Sequence, residues 1–234
     1  MDSFEFGSNE AARDAGVVTS RIWSLARGAT VSPDGVRFAV WAPNVKHLGV
    51  AIEGGKTYPL DRLDGGVFEG TVPDAGVGND YRYVLDGGRT LPDPVSRHQP
   101  QGVHGPSRVV DPGMFEWHDA GWRGIEMRDA IIYELHVATF SDEGTLISAI
   151  PHLRALRELG VTAVEVMPVA EFPGSRNWGY DGVLLYAPQS TYGGPEALRQ
   201  FVDAAHAEGL AVILDVVYNH LGPEGNYLEA LGPY

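Results

Sequence analysis

The chain has 234 residues, a formal net charge of −14 and no cysteine. The acidic balance argues against a nucleic-acid partner, which calls for basic patches, and the lack of cysteine excludes disulfides and thiolate metal sites. No apolar run approaches the ~20 residues of a membrane span, and the opening MDSFEFGSNE has neither the basic nor the apolar region of a signal peptide. The expectation is a cytoplasmic protein with no membrane association.

Residues 1–20 are polar, without sustained period, and read as a tail holding at most a helical turn around Glu10 to Asp14. From residue 21 the pattern changes. Val36, Phe38 and Val40 alternate with Arg37, Ala39 and Trp41 until Pro43-Asn44 breaks the run. Leu48, Val50 and Ile52 alternate next, ended by Gly54-Gly55. Tyr58 and Leu60 follow, then the Asp64-Gly65-Gly66 turn and a run from Val67 to Val72. Tyr81, Tyr83 and Leu85 close the series before Asp86-Gly87-Gly88. Four or five short strands with glycine-rich turns imply a β-sandwich over residues 21–110. Pro92, Pro94, Pro100, Pro106 and Pro112 preclude a helix and predict an extended connector over residues 90–118. His98, His104 and His118 fall there at spacings that match no metal-ligand pattern, so they read as connector polar groups.

Residues 111–234 carry the third unit. Ala130 to Val137 is a mostly apolar strand that includes Glu134 and His136. A helical pattern follows with Leu153, Leu156 and Leu159 on one face, Pro151 in its first turn and Gly160 at its end. Val161 to Met167 is a second strand, in which Glu165 needs a partner or a neighbour in a barrel lumen. Residues 170–194 read as one long loop, a length that favours function. Pro195 opens a helix whose buried face is Leu198, Phe201, Val202 and Ala205, and Gly209 stops it. Leu210 to Val217 then reads as a strand buried on both faces. Strand–helix–strand–helix–strand implies parallel strands. In such folds ligands meet the C-terminal strand ends, where Asp215, Asn219 and His220 sit. The plainer alternative makes Asp215 a turn cap and His220 a packed or surface histidine.

Several stretches resemble one family. DVVYNH (215–220) resembles the end of barrel strand 3 in the alpha-amylase superfamily of glycoside hydrolases, and YELHVATF (133–140) resembles its strand 1. GVRFAVWAP (35–43) resembles the opening strand of the immunoglobulin-like, carbohydrate-binding-module-like domain that precedes the barrel. LPDPVSRHQPQGVHGPSRVVDP (91–112), LGPEGNYL (221–228) and LGPY (231–234) resemble the trehalohydrolase branch. The resemblance implies an N-terminal immunoglobulin-like β-sandwich followed by the first three β/α repeats of a (β/α)8 barrel.

It also implies an activity, hydrolysis of the α-1,4 bond next to the terminal trehalose of maltooligosyltrehalose. Gly179-Tyr180, within NWGYD (177–181), matches the family pair whose tyrosine stacks on the sugar in subsite −1. The apolar C–H face of a sugar packs on an aromatic ring while its hydroxyl rim needs hydrogen bonds. Trp178, Tyr186 and Tyr192 are further aromatic candidates, with loop packing preferred for the last two. By resemblance Asp215 lies under the sugar and orients the catalytic carboxylates, and His220 bonds the sugar hydroxymethyl group. Asn219 is a calcium ligand in many amylases, but the trehalohydrolase branch is not characteristically calcium-dependent, so neither metal nor cofactor is expected. The substrate-binding set is therefore Tyr180, Asp215, His220, Trp178 and Asn219.

The family's nucleophile and acid lie on barrel strands 4 and 5, and no catalytic residue is assigned in this chain; both are expected beyond Tyr234. A closed barrel takes about 250 residues, against 105 from Ala130 to Tyr234, which reads as a truncated barrel. The alternatives are a glycogen branching or debranching enzyme and a non-catalytic glycan-binding protein. The sandwich reads as a scaffold more than a glycan module, because no exposed aromatics cluster on it. Oligomeric state is not legible.

Overall fold

A computed structural model describes residues 26–234; the tail and the turn expected near Glu10 lie outside the described residues. The first unit is a β-sandwich. Its strands are β1 (Gly28–Ser32), β2 (Gly35–Trp41), β3 (Gly49–Ile52), β4 (Thr57–Pro59), β5 (Asp61–Arg62), β6 (Val67–Val72), β7 (Asp80–Val84), β8 (Thr90–Leu91) and β9 (Ser107–Arg108). One sheet has the order β1-β2-β6-β5; the other runs β4-β3-β7-β8, with β9 also on β7. The alternation seen in the sequence explains the filling. Val36, Phe38 and Val40 of one sheet face Val50, Tyr81 and Tyr83 of the other, all fully buried or nearly so. Phe38 meets Tyr81 edge-on at 4.8 Å, the arrangement that ring quadrupoles favour.

Two expectations change here. Tyr58 and Leu60 do not share a strand. The chain crosses between sheets at Leu60, whose N–H bonds the Leu48 carbonyl at 2.9 Å, so β4 and β5 fall in different sheets. The proline-rich connector is extended but tightly built in. Asp93, Ser96, Gln99 and Ser107 are buried in it. Asp93 accepts from the Tyr81 hydroxyl at 2.6 Å and the Val95 N–H at 2.9 Å, and burial pushes its carboxyl up to about 6. Gln99 donates to the carbonyls of Gly102 and Gly105. Buried polar groups are tolerated because each finds a partner.

The second unit comprises β10 (Ile132–Leu135), α1 (Val137–Phe140), α2 (Leu146–Ala149), α3 (Leu153–Leu159), β11 (Ala163–Val166), β12 (Ala170–Glu171), β13 (Leu184–Pro188), α4 (Gly194–Ala207), β14 (Ala211–Leu214) and α5 (Leu228–Leu231). Strands β10, β11 and β14 form a parallel sheet in that order. Leu153, Leu156, Phe201, Ala205 and Leu210 pack behind it with Val164 and Val166. Gly160 ends α3 in the left-handed region at φ 101°.

Four details depart from the pattern reading. Val137 starts a helix instead of ending the strand. Pro151 sits in a 3-10 turn between α2 and α3. Leu159, the last residue of α3, points to solvent, 77 % exposed. The stretch 170–194 is not wholly loop: β12 and β13 pair antiparallel within it.

Strand β14 is also not buried on both faces. Ala211, Val212 and Ile213 are half-buried and Leu214 is 45 % exposed. The strand pairs with β11 alone among the described residues, so its other edge and part of its lumen face are open. Ile131, Ile132 and Tyr133 are exposed at the opposite edge for the same reason.

Segment 222–234 returns to the sandwich. Leu231 is buried among the sandwich residues, the Asn44 N–H bonds the Leu231 carbonyl at 3.0 Å, and the Tyr234 hydroxyl bonds the Trp41 carbonyl at 2.6 Å. Two connector histidines also reach distant segments. His104 Nδ1 lies 2.5 Å from the Tyr227 hydroxyl. His118 bonds Asp203 of α4 through its backbone N–H and its ring, and this carboxylate raises the imidazole pKa.

Candidate functional site

The C-terminal ends of β10, β11 and β14 converge with the turn of residues 177–181. In register, Glu134 lies beside Glu165, and Glu165 beside Ile213. Asp215 follows Ile213 by two positions and so shares its face. Glu134, Glu165 and Asp215 therefore line one lumen face. Neither glutamate has a salt-bridge partner among the described residues.

Tyr180 joins this face. Its hydroxyl donates to Asp215 Oδ2 at 2.9 Å. The phenol pKa is raised, first by that hydrogen bond, then by desolvation and by the charges of Asp215, Glu134 and Glu165. The turn that carries it needs glycine at 179. Its φ is 95°, and a Cβ there would collide with the Pro168 carbonyl. Asn177 closes the turn by accepting the Gly179 N–H at 2.8 Å and donating to Asp181 at 2.7 Å.

His220 Nε2 donates to the Tyr180 carbonyl at 2.8 Å, and Nδ1 lies 3.0 Å from Asn219 Oδ1. A neutral ring that donates from Nε2 is satisfied at Nδ1 once the Asn219 amide presents its NH2 there. Both nitrogens thus have protein partners. Trp178 is 69 % exposed and lies tilted toward His136, with ring centroids 5.5 Å apart. The structure thus brings Tyr180, Asp215, His220 and Asn219 together by direct contacts, with Trp178 at the margin.

Tyr192 is fully packed against Phe172, its hydroxyl 3.2 Å from His136 Nε2. Tyr186 is exposed and lines an adjacent cavity of about 300 Å³ with Pro168, Leu198, Leu214, Val216 and Tyr218. Asp215 is the one carboxylate in that wall, which is otherwise mostly apolar. Two residues here make contacts that the sequence reading did not assign. His136 Nε2 bonds the Asn177 carbonyl at 2.7 Å. Glu171, fully buried, accepts from the Ser190 N–H at 2.7 Å and hydroxyl at 3.1 Å; burial pushes its carboxyl up to about 7. Among the described residues no group of three or more His, Cys, Asp or Glu could hold a metal, and no helix is long and apolar enough to cross a membrane.

A family model described as the alpha amylase catalytic domain matches residues 99–231, and one for carbohydrate-binding module 48 (isoamylase N-terminal domain) matches residues 27–109. The malto-oligosyltrehalose trehalohydrolase of Saccharolobus solfataricus is 51 % identical over 207 residues, covering 88 % of this chain and 37 % of the relative. That of Deinococcus radiodurans is 50 % identical over 208 residues, covering 88 % and 34 %. A Salmonella typhimurium structure described as an alpha amylase superposes with a TM-score of 0.86 at 48 % identity, over 89 % of this chain and 36 % of that one. Pullulanase from Anoxybacillus sp. LM18-11, solved with maltotetraose, gives 0.77 at 29 % identity, over 88 % and 37 %. The chain spans about a third of the length of the curated relatives it matches. With a matching catalytic-domain model over residues 99–231 and a barrel sheet bearing these side chains, the chain belongs to the alpha-amylase family.

Proposed function

We propose that these residues belong to a malto-oligosyltrehalose trehalohydrolase and form the floor of its sugar-binding subsite. The observation that carries the reading is the Tyr180–Asp215–His220 contact set, on a chain half identical to curated trehalohydrolases. The substrate is an α-glucan ending in trehalose. The Tyr180 ring takes the apolar face of the sugar, His220 gives up a protein partner to bond a hydroxyl, and Asp215 anchors the Tyr180 hydroxyl from below. Retaining hydrolysis needs a carboxylate nucleophile and a carboxylic acid roughly 5–5.5 Å apart. In the family those stand on strands 4 and 5, so the residues here bind and orient.

The sandwich acts as a scaffold in this reading. Trp41, the one tryptophan in its strands among the described residues, donates to the Gly65 carbonyl at 2.9 Å and packs edge-on to Tyr234 at 5.1 Å, which leaves that ring occupied by protein. The test is product analysis of the full-length protein on maltooligosyltrehalose. Free trehalose as the released product supports the reading. Transfer to a new α-1,6 branch, or binding without turnover, rejects it.

A further inference from the structure

The turn that presents Tyr180 is held by an imidazole at each end. On one side His220 bonds the Tyr180 carbonyl. On the other, His136, just past the end of β10, bonds the Asn177 carbonyl at 2.7 Å. We infer that His136 is a positioning residue that fixes the Tyr180 ring through the turn 177–180. The inference rests on the reading of Tyr180 as the sugar platform.

The hydrogen bonds define the ring state. A carbonyl only accepts, so the proton is on Nε2. Nδ1 is then the acceptor facing the Thr139 hydroxyl at 3.2 Å. The same carbonyl lies 3.5 Å from the Tyr192 hydroxyl. Tyr192 is buried, and burial holds its phenol up at about 12, so it stays a donor. Two donors thus converge on Asn177, and Asn177 in turn shapes the turn through Gly179 and Asp181.

Apolar packing does not do this work. Trp178 and Tyr180 are exposed, and a segment with few buried contacts opens at little cost. The position of Tyr180 therefore depends on its hydrogen bonds. Those to His220 and Asp215 tie it to the end of β14; among the described residues only the His136 bond ties the turn to the end of β10. A platform free to shift by about 1 Å loses up to a hundredfold in rate.

The test combines a tautomer measurement with kinetics of the full-length protein. Nitrogen-15 NMR at pH 8 is expected to show His136 protonated on Nε2; protonation on Nδ1 overturns the inference. His136→Leu is expected to lower kcat/KM about tenfold to a hundredfold. His136→Gln, whose terminal amide reaches the Nε2 position, recovers to within about threefold of the parent, while the shorter His136→Asn does not. Equal losses for Gln and Asn would overturn it, and this pair carries the test if the Leu variant does not fold. Adding His136→Leu to Tyr180→Ala is expected to cost little more than Tyr180→Ala alone, because His136 acts through that ring; full additivity rejects the link. A silent Tyr180→Ala instead removes the platform reading itself, and the Nε2 proton then decides whether His136 holds the turn.

Discussion

The Tyr180 hydroxyl donates a 2.9 Å hydrogen bond to Asp215 Oδ2, tying the loop after the second barrel strand to the end of the third. One residue supplies an aromatic ring and the other the carboxylate that accepts its hydroxyl. The ring and the hydroxyl of Tyr180 therefore have separable duties. Tyr180→Ala removes both and is expected to lower kcat/KM of the full-length protein roughly 30-fold to 1000-fold, mostly in transition-state stabilisation. Tyr180→Phe keeps the ring and loses only the tie to Asp215, so it is expected to cost less than about tenfold. Steady-state kinetics on maltooligosyltrehalose check both; near-parental values for the alanine variant reject the assignment.

Glu171 makes stability depend on pH. Its folded pKa of about 7 lies above the ordinary value of 4.5, so between those two pH values the folded state binds more protons than the unfolded state. Stability from this group is complete below about pH 4.5 and is lost as pH rises through 7, by up to about 3 kcal/mol. Glu171→Gln can still accept the Ser190 N–H and carries no charge. Relative to the parent it is expected to gain stability from pH 4.5 to pH 8. Denaturant midpoints at the two values measure this; an unchanged difference refutes it.

Leu231 belongs to the helix that follows the third barrel strand, yet it is buried in the sandwich core. Leu231→Ala is expected to destabilise the fold by about 2–5 kcal/mol. A denaturation curve that loses less than about 1 kcal/mol would show that the site collapses around the smaller side chain.

A polypeptide limited to residues 1–234 is expected to bind a hydrophobic dye or to aggregate. Ile131, Ile132, Tyr133, Leu214, Val216 and Tyr218 are exposed at or beside the two edges of the parallel sheet, and open edges with apolar neighbours recruit other chains. A monomer that melts cooperatively without dye binding contradicts this.

The same polypeptide is expected to release no trehalose above background. Glu134, Glu165 and Asp215 share a face, but Asp215 is engaged by Tyr180. The two glutamates occupy strands whose family counterparts are not catalytic. Binding that is equal in the ground and transition states does not speed the chemical step. Trehalose release that is lost on Asp215→Asn would assign chemistry to this face.

Local pattern made much of this protein legible. Alternation at Val36–Phe38–Val40 and Tyr81–Tyr83 marks strands because strand side chains repeat every two residues, and the structure buries these same side chains. Pro195 and Gly160 bound helices for backbone reasons that need no tertiary partner. Asp215, Asn219 and His220 were visible as polar residues closing an apolar strand. Other features depend on what the chain meets in space. Whether Leu214 is buried is decided by the neighbour of β14, and Leu159 is exposed although it keeps the helical spacing. The strands β8 and β9 are two residues each, too short to carry a period, and exist because β7 offers them the edge that β3 leaves open. His136 looked like one more strand residue, because its partner, the Asn177 carbonyl, is 41 positions away. A hydrogen bond to a backbone oxygen leaves no signature in the partner's side chain, so only the tertiary structure could join the two.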